Sequence, residues 1–288
     1  MEYSNPELPE GINTSKEHPL KEFAILTVGL LGLIFIMVSL LIVLVDNFAD
    51  KIPFQLESEL PISSIIKHEN VEELPPYLEH VTQKVLKSFN LPDDMKITFH
   101  YVNSDTVNAF ATLGGNIVLY RGLIEKLKYE DELAMGIAHE IAHVKYRHPI
   151  MSASHGVVVG IVLTVLSSSS GNSIVSDLMG TTGTATLMKF SRDFEYQADK
   201  DAINSITKLY GHAGGAIGLF KVFEDVYAGE VPFELFATHP LTENRISQTT
   251  KLANKHHHPG EQVRVSFPEK FSSWLKQEKE KKKINSTE

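Results

Sequence analysis

Two histidines and a glutamate within five consecutive residues could together bind a metal ion and activate water. They are His139, Glu140 and His143, in the pattern H-E-x-x-H. Side chains four residues apart lie on one face of a helix, so both imidazoles can reach one ion at the roughly 2.0–2.1 Å usual for zinc–nitrogen bonds. Glu140 directly follows the first imidazole, where its carboxylate can act as a base without binding the ion. The pattern predicts a hydrolytic metal site.

The residues around this pattern predict the helix that it requires. Leu133, Ile137, Ile141 and Val144 recur at helical spacing and would form a buried stripe. The acidic run 130–132 falls in the first turn, where the helix dipole favours negative charge, and basic residues follow at the other end. A single helix can therefore present both imidazoles and the carboxylate.

A catalytic zinc usually has three protein ligands and an open position for water. The chain has no cysteine, so the third ligand must be His, Asp or Glu. The metzincin pattern would need glycine and histidine where this chain has Tyr146 and Pro149, which excludes it. A predicted helix over 191–210 instead offers Glu195, with Asp199 one turn later. One of these acids could bind zinc while the other accepts a hydrogen bond from a ligand histidine.

The composition limits the classes of protein to which the chain can belong. Its 288 residues suit one domain plus an anchor. A net charge of −9 argues against nucleic acid as a partner. Without cysteine there is no disulfide framework and no thiolate metal site.

An uncharged stretch near the N-terminus predicts a transmembrane helix. Residues 23–45 contain no charge and would span roughly 34 Å as a helix, enough to cross the bilayer. The stretch is too long for the core of a signal peptide, and no A-x-A-like cleavage site follows it. Residues 1–22 read as a polar tail. Lys16 and Lys21 precede the span and Lys51 follows it, so the positive-inside rule places the C-terminal part outside the cytoplasm, in a bacterium the periplasm.

The remaining chain predicts an α+β domain that is mostly helical. Residues 46–73 read as a linker, 74–267 as the metallopeptidase domain and 268–288 as a charged C-terminal tail, in which 276–283 are expected to be solvated. The predicted strands are 96–102, 108–112, 116–120 and 263–267, and the predicted helices besides those named above are 74–90, 122–127, 211–227 and 241–255.

Residues 157–166 are strongly apolar but cover only about 15 Å as a helix, half a bilayer. They predict a buried or membrane-skimming helix. The following Gly/Ser/Thr-rich segment, residues 167–184, could move over the site as a lid.

Three motifs in order resemble a known family. They are the D-E-L-A start of the metal helix with its H-E-x-x-H (Asp131–His143), S-R-x-x-E-Y-x-A-D (Ser191–Asp199) and T-H-P-x-x-x-x-R-I (Thr238–Ile246). This set resembles the CAAX prenyl protease/HtpX family of membrane-associated zinc metallopeptidases, over roughly residues 75–255.

The resemblance implies a zincin-like fold with one Zn²⁺ per chain, Glu195 as the third ligand and Asp199 as the acid behind a ligand histidine. HtpX and the prenyl proteases carry several membrane spans, whereas this chain has one clear span. The closer similarity is to single-span or soluble members that act in membrane and envelope protein quality control.

Further residues are candidates for roles around the metal. His239 and Arg245 could stabilise an oxyanion, or His239 could be a switchable extra ligand, while Arg245 could equally pair with an acid to fix the last helices. His148, five residues after His143, should lie on another face of the helix and be structural. A peptide substrate could add as an antiparallel strand along Asn116, Ile117, Val118, Leu119 and Tyr120, if these residues form a sheet edge.

The sequence thus predicts a membrane-anchored zinc metalloendopeptidase. Its expected partners are polypeptides, misfolded or from the membrane or envelope, and the lipid bilayer through residues 23–45. The alternatives are a zinc-containing envelope chaperone or assembly factor without proteolytic turnover, and a hydrolase of small amides. Glu140 argues against the chaperone, because binding alone needs no base.

Overall fold

The computed structural model describes residues 19–59, 71–167, 190–227, 239–256 and 264–285. The chain divides into two compact units, Met1–Val43 and Leu44–Glu288. The second unit holds every residue of the predicted metal site.

The first described helix, α1, runs from Pro19 to Phe48 and includes the predicted span. Its stretch Leu20–Phe48 is, among the described residues, the one helix long and apolar enough to cross a membrane. At 1.5 Å per residue it is about 44 Å long. Its large apolar side chains are exposed rather than packed inside the protein, as expected of a helix whose partner is lipid.

The second unit is mostly helical and carries one small sheet. The described elements after α1 are α2 (Phe54–Glu59), β1 (Val71–Glu72), α3 (Pro76–Leu86), β2 (Thr98–Val102), β3 (Ala109–Thr112), β4 (Asn116–Tyr120), α4 (Arg121–Lys126), α5 (Glu130–Lys145), α6 (His148–Ser167), α7 (Arg192–Tyr210), α8 (Gly214–Tyr227), α9 (Glu243–Lys255) and α10 (Glu269–Asn285). The predicted class, a mostly helical α+β protein with a small sheet and an N-terminal apolar helix, is confirmed.

The sheet has the strand order β1-β2-β4-β3. β2 and β4 are parallel, with Phe99 opposite Ile117, and β3 and β4 are antiparallel, with Phe110 opposite Val118. A tight turn at Gly114-Gly115 joins β3 to β4, and both glycines have positive φ, 68° and 73°. That conformation strains residues with a Cβ. The turn places β3 at one edge of the sheet and β4 inside it.

Helix α5 lies at the centre of the unit and packs mainly against α7 and α8, and also against α3 and β3. The predicted stripe is buried, with Ile137 and Ile141 fully inaccessible. The other faces are buried too, because Ala134, Ala138 and Ala142 allow neighbouring elements to approach closely. Burial on all sides gives the helix a fixed position, and with it the side chains it carries.

The acids in the first turn of α5 have specific partners as well as a favourable place in the helix dipole. Glu130 accepts from Lys84 Nζ at 2.8 Å. Arg264 donates to Asp131 and Glu132. Glu132 Oε2 also accepts the backbone N–H of Lys128 at 2.7 Å, which satisfies a donor at the helix start. These bonds anchor the beginning of the metal helix.

Part of the predicted linker 46–73 belongs to the folded unit. Phe54 and Glu57, on α2, are buried. Glu57 forms an ion pair with Arg147 and accepts the backbone N–H of Gly114 at 2.9 Å. The short helix therefore contacts both the end of α5 and the turn before β4. The sequence does not reveal this helix, because six residues are too few to show a helical repeat of apolar positions.

The predicted C-terminal tail 268–288 is not separate from the domain, because α10 packs on it. Phe271 and Leu275 are buried in the core, and Trp274 stacks on Phe271 at 5.6 Å between ring centroids. These residues recur at helical spacing, and the lysine-rich positions form the opposite face. The predicted strand 263–267 is reduced, among the described residues, to a single bridge between Ser266 and Tyr129.

The apolar run 157–166 lies within α6, which is 20 residues long. The predicted lid, residues 167–184, falls almost entirely outside the described residues.

Candidate metal centre

Helix α5 brings the two predicted imidazole ligands together. His139 and His143 lie one turn apart and point to the same side, with their Nε2 atoms 3.0 Å from each other. Both side chains are buried. Because an imidazole nitrogen either donates or accepts, a cation between the two atoms would satisfy both at once.

Helix α7 and the segment that precedes α9 supply two further donors, Glu195 and His239. Glu195 Oε1 lies 3.5 Å from His143 Nε2, and His239 Nδ1 lies 3.3 Å from His139 Nε2 and 2.9 Å from Glu195 Oε1. The four ligand atoms all lie within 4.8 Å of one another, and all four residues are buried. Three separate elements thus converge on one point.

The donor set fits zinc. In a tetrahedral site with bonds of about 2.0–2.1 Å, adjacent ligand atoms are about 3.3 Å apart, and the distances given above scatter around that value. Three imidazoles and a carboxylate are ligands that zinc commonly takes. His239 Nε2, on the far side of its ring, is buried without a hydrogen-bond partner among the described residues. It lies 3.6 Å from Glu140 Oε1, so the ring is held from its Nδ1 side.

Asp199 and Arg245 form hydrogen bonds and ion pairs that fix the orientation of this donor set. Asp199 Oδ1 accepts from His139 Nδ1 at 2.9 Å, which leaves Nε2 of that ring facing the other ligands. Arg245 donates to Asp199 through two nitrogens, at 2.8 and 2.9 Å, and also contacts Glu195. Thr249 adds a further donor to Asp199 at 3.1 Å. The predicted alternative in which Arg245 pairs with an acid is the one that the structure displays.

The charges of this cluster are strongly coupled. Burial alone would raise the pKa of both acids, but the Arg245 guanidinium outweighs it. The pKa of Asp199 falls to about 2, and that of Glu195 is held well below its usual range. Both acids are therefore ionised at neutral pH, which is the state that metal binding by a carboxylate requires.

The two ligand histidines differ in their surroundings. Burial lowers the pKa of His139, but its hydrogen bonds to Asp199 and Glu195 dominate and raise the pKa to about 10. Burial keeps the pKa of His143 well below 6.5. A metal ion must consequently displace a proton from His139 and none from His143.

Glu140 lies beside the cluster but is not part of it. Its Oε2 accepts the backbone N–H of Ala111, in β3, at 2.7 Å. Burial raises the pKa of its carboxyl group, which favours a group that accepts and returns a proton. An apolar pocket adjoins it, lined by Leu123, Met135, Leu219, Phe220 and Phe223.

The sequence model of peptidase family M48 matches residues 72–253, a range that contains all of these groups. The chain belongs to this family. M48 metallopeptidases are zinc-dependent, in agreement with the donor set described above.

Individual relatives support the assignment over a similar range. The beta-barrel assembly-enhancing protease of Yersinia pestis is 30% identical over 198 residues, which are 63% of this chain and 39% of that protein. The protein of the same name from Escherichia coli K12 is 27% identical over 195 residues, 63% of this chain and 40% of that protein. The mitochondrial metalloendopeptidase OMA1 of Schizosaccharomyces pombe is 28% identical over 175 residues, 59% and 50% of the two chains. This chain spans about 40% of the length of the bacterial relatives.

One prediction about the M48 domain needs correction. Residues 116–120 form β4 as predicted, but β4 is hydrogen-bonded to β2 on one side and β3 on the other. A substrate cannot add to a strand whose two edges are occupied. The edge strand beside α5 is β3, whose Ala111 contacts Glu140.

A second correction concerns His148, which was expected on another face of the metal helix. Helix α5 ends at Lys145, and Arg147 has φ of 62°. This left-handed residue turns the chain, and His148 returns beneath His143, with their Nδ1 atoms 2.9 Å apart. His148 lies on the side away from the other three ligands, so it is not one of the converging donors.

Two aromatic residues of the M48 site were not predicted. Phe190 stacks on His143, with ring centroids 4.0 Å apart, and Phe194 stacks on His148 at 4.2 Å. In the sequence, Phe194 is visible only as one apolar position of a helical stripe, and Phe190 precedes the helix.

Proposed function

We propose that this chain is a membrane-anchored zinc metalloendopeptidase in which His139, His143 and Glu195 hold one Zn²⁺ and Glu140 is the catalytic base. The observation that carries the proposal is the convergence of four donor atoms from three parts of the chain, beside the carboxylate of Glu140, which is not one of those donors. The four donors would bind a metal ion, and Glu140 would supply the base that hydrolysis requires.

When bound, zinc supplies a Lewis acid that activates a water molecule and polarises the scissile carbonyl. Glu140 accepts a proton from the attacking water and transfers it to the leaving amine. Its bond from the Ala111 amide holds one carboxylate oxygen, so the other can face the water. Asp199 keeps the His139 ring oriented through Nδ1.

The substrate would bind as a strand beside β3. Asn108 O accepts the N–H of Tyr120, so in this antiparallel ladder the alternate residues Phe110 and Thr112 also direct their backbone groups to β4. Because backbone groups alternate along a strand, both groups of Ala109 and the carbonyl of Ala111 are directed to the other edge, where the Ala111 N–H is donated to Glu140. A peptide added there would run past Glu140 and past the apolar side chains beside it.

His239 would be a fourth, exchangeable ligand. Its Nδ1 takes the place that water needs in a three-ligand catalytic site. It lies outside a helix, four residues before α9 begins at Glu243. Withdrawal of this side chain would open the fourth position and allow it to stabilise an oxyanion, while Arg245 remains fixed by its two acids.

The cellular role is proposed from the anchor and the relatives. The helix Leu20–Phe48 would place the enzyme in a bilayer, with the catalytic domain on the extracytoplasmic side. Relatives are named for beta-barrel assembly and as a mitochondrial metalloendopeptidase, so misfolded or membrane and envelope polypeptides are the proposed substrates. Among the described residues one helix could span a membrane, which favours this group over the many-span prenyl proteases. A net charge of −9 argues against nucleic acid.

The decisive experiment compares the wild type with Glu140→Gln in the full chain in detergent. Metal analysis should find one zinc per chain in both proteins. The wild type should cleave an unfolded protein such as casein, and the variant should be at least about 100-fold slower, because general-base catalysis contributes about that much or more. Glu79→Gln, at an exposed position of α3, is the matched control.

If the wild type binds zinc and unfolded polypeptides without cleaving them, the chaperone alternative replaces the peptidase. Mapping the products on peptides separates an endopeptidase from a hydrolase of small amides. A wild type that binds no zinc overturns the metal site itself.

A further inference from the structure

His148 is a buried histidine that the proposed mechanism does not use. Its side chain has no solvent-accessible surface. Its Nδ1 lies 2.9 Å from Nδ1 of His143, and its Nε2 lies 3.2 Å from Oε1 of Gln197 on α7. The three side chains form a continuous relay that begins at the metal cluster and ends at Gln197, whose side chain reaches solvent.

The position of each proton in this relay follows from the chemistry of imidazole. If His143 uses Nε2 as a ligand atom, its Nδ1 carries the ring proton and can only donate. His148 Nδ1 must then accept, so its own proton is on Nε2. That proton is donated to the carbonyl oxygen of Gln197. Only one arrangement of protons satisfies every atom.

The rings are also held in the planes that these bonds require. Phe190 stacks on His143 with 17° between the planes, and Phe194 stacks on His148 with 9°. Both nitrogens of His148 have a partner at hydrogen-bond distance, and a neutral ring that accepts at Nδ1 and donates at Nε2 fits both contacts. A cationic ring would present a proton on both nitrogens and oppose the donor on His143.

We propose that His148 is a positioning residue that, together with Gln197, fixes the tautomer and the orientation of His143 as a zinc ligand. The proposal rests on the proposed metal site. The two ligand histidines would then be supported differently, since His139 donates to the carboxylate of Asp199 whereas His143 donates to a neutral imidazole. Such partners of ligand histidines commonly affect metal affinity about 10- to 100-fold.

The first test measures zinc affinity by competition with a chelator, in the full chain in detergent. His148→Phe keeps an aromatic ring for Phe194 but removes the acceptor, and it should weaken zinc binding about 10- to 100-fold. His148→Gln restores an acceptor near Nδ1 of His143 and should recover most of that affinity. His155→Phe, on the same helix with its imidazole bonded to Asp46 instead, is the matched control and should bind zinc like the wild type.

The second test changes the exposed end of the relay, where misfolding is not expected. Gln197→Lys offers only donors, which favours the wrong tautomer of His148, and zinc affinity should fall by about 3-fold or more. Gln197→Glu keeps an acceptor and should match the wild type. Melting temperatures of the zinc-free proteins identify any variant whose fold has changed. If His148→Phe fails to fold, the Gln197 pair decides.

The relay is overturned if folded His148→Phe, or Gln197→Lys, binds zinc as tightly as the wild type. Such a result would leave the metal site intact, with one zinc per chain in every protein. Failure of the proposed function looks different, because the wild type itself would then bind no zinc.

Discussion

Replacing Arg147 by alanine and, separately, by glycine tests how the chain is turned between α5 and α6. The φ angle of Arg147 is 62°, in the left-handed region that costs a residue with a Cβ roughly 1–2 kcal/mol. Its guanidinium donates to Glu57 Oε2 through Nε at 3.0 Å and Nη2 at 2.6 Å, and to the Ile52 carbonyl at 2.9 Å. The ion pair therefore stabilises a conformation that the backbone alone disfavours.

The magnitude follows from burial. The Arg147 and Glu57 side chains are 11% and 2% exposed, and removing one partner of a buried pair costs about 3–5 kcal/mol because the other charge stays uncompensated. Arg147→Ala should lose about that much. Arg147→Gly also loses the pair but relieves the strain. Glycine also raises the entropy of the unfolded chain, which costs about 0.5–1 kcal/mol of stability. Subtracting this cost from the relieved strain of roughly 1–2 kcal/mol, we expect the glycine variant to be more stable than the alanine variant by about 0.5–1 kcal/mol.

Urea unfolding of the full chain in detergent measures these differences. Trp274 is the only tryptophan, and it stacks between Tyr101 and Phe271, so its fluorescence reports on the folded domain. Equal stability of the alanine and glycine variants would refute the role assigned to the left-handed backbone. A loss below about 0.5 kcal/mol in both, the size usual for surface substitutions, would refute the ion pair.

Three further predictions concern the metal site and the start of α5. Asp199→Asn should weaken zinc binding about 10- to 100-fold in a chelator competition, because His139 loses its charged acceptor; unchanged affinity contradicts the assignment. Zinc at 100 times its Kd should stabilise the fold by about 2.7 kcal/mol, so chelation should lower Tm and added zinc should restore it; a Tm indifferent to zinc contradicts the site. Burial opposes ionisation of Glu130, but bonds from Lys84 and two tyrosines outweigh it and hold the pKa below 4.5. Its contribution is therefore present above pH 4.5 and lost as pH falls, so the Tm of Glu130→Gln should approach that of the wild type below pH 4.5; parallel Tm curves would exclude the effect.

The parts of the site that lie within one helix could be predicted from the sequence. The spacing of His139 and His143 follows from helical geometry, as does that of Glu195 and Asp199. The approach of α7 to α5 was not fixed by either pattern alone. It could be predicted for two reasons. The chain has no cysteine, so the third zinc ligand had to be His, Asp or Glu, and Glu195 and Asp199 lie on one helix face. The motifs also resemble those of a family. How closely α7 approaches α5 depends on the packing of side chains between them, which the two motifs do not specify.

The order of the strands could not be read from local patterns. Polar and apolar residues alternate too little within 116–120 to show which face of the strand is covered. Nothing in this pattern identifies the neighbouring strands. One signal was available: Ile117, Val118 and Leu119 are consecutive and all buried, and an uninterrupted apolar run is typical of a strand covered on both faces. Such a strand is usually interior, which would have directed the search for a substrate edge to β3.

The misplacement of His148 has a different physical origin. Counting five residues from His143 assumes that the helix continues, whereas the chain carries Pro149, and proline belongs in the first turn of a helix rather than in its interior. The sequence thus indicates that one helix ends and another begins near residue 148, so the helical angle cannot be extrapolated across the junction. Once Arg147 turns the chain, a residue expected on another face lies under the ligand. If His148 orients His143 as proposed, that orientation also depends on Glu57, because the ion pair between Glu57 and Arg147 holds the turn that places His148.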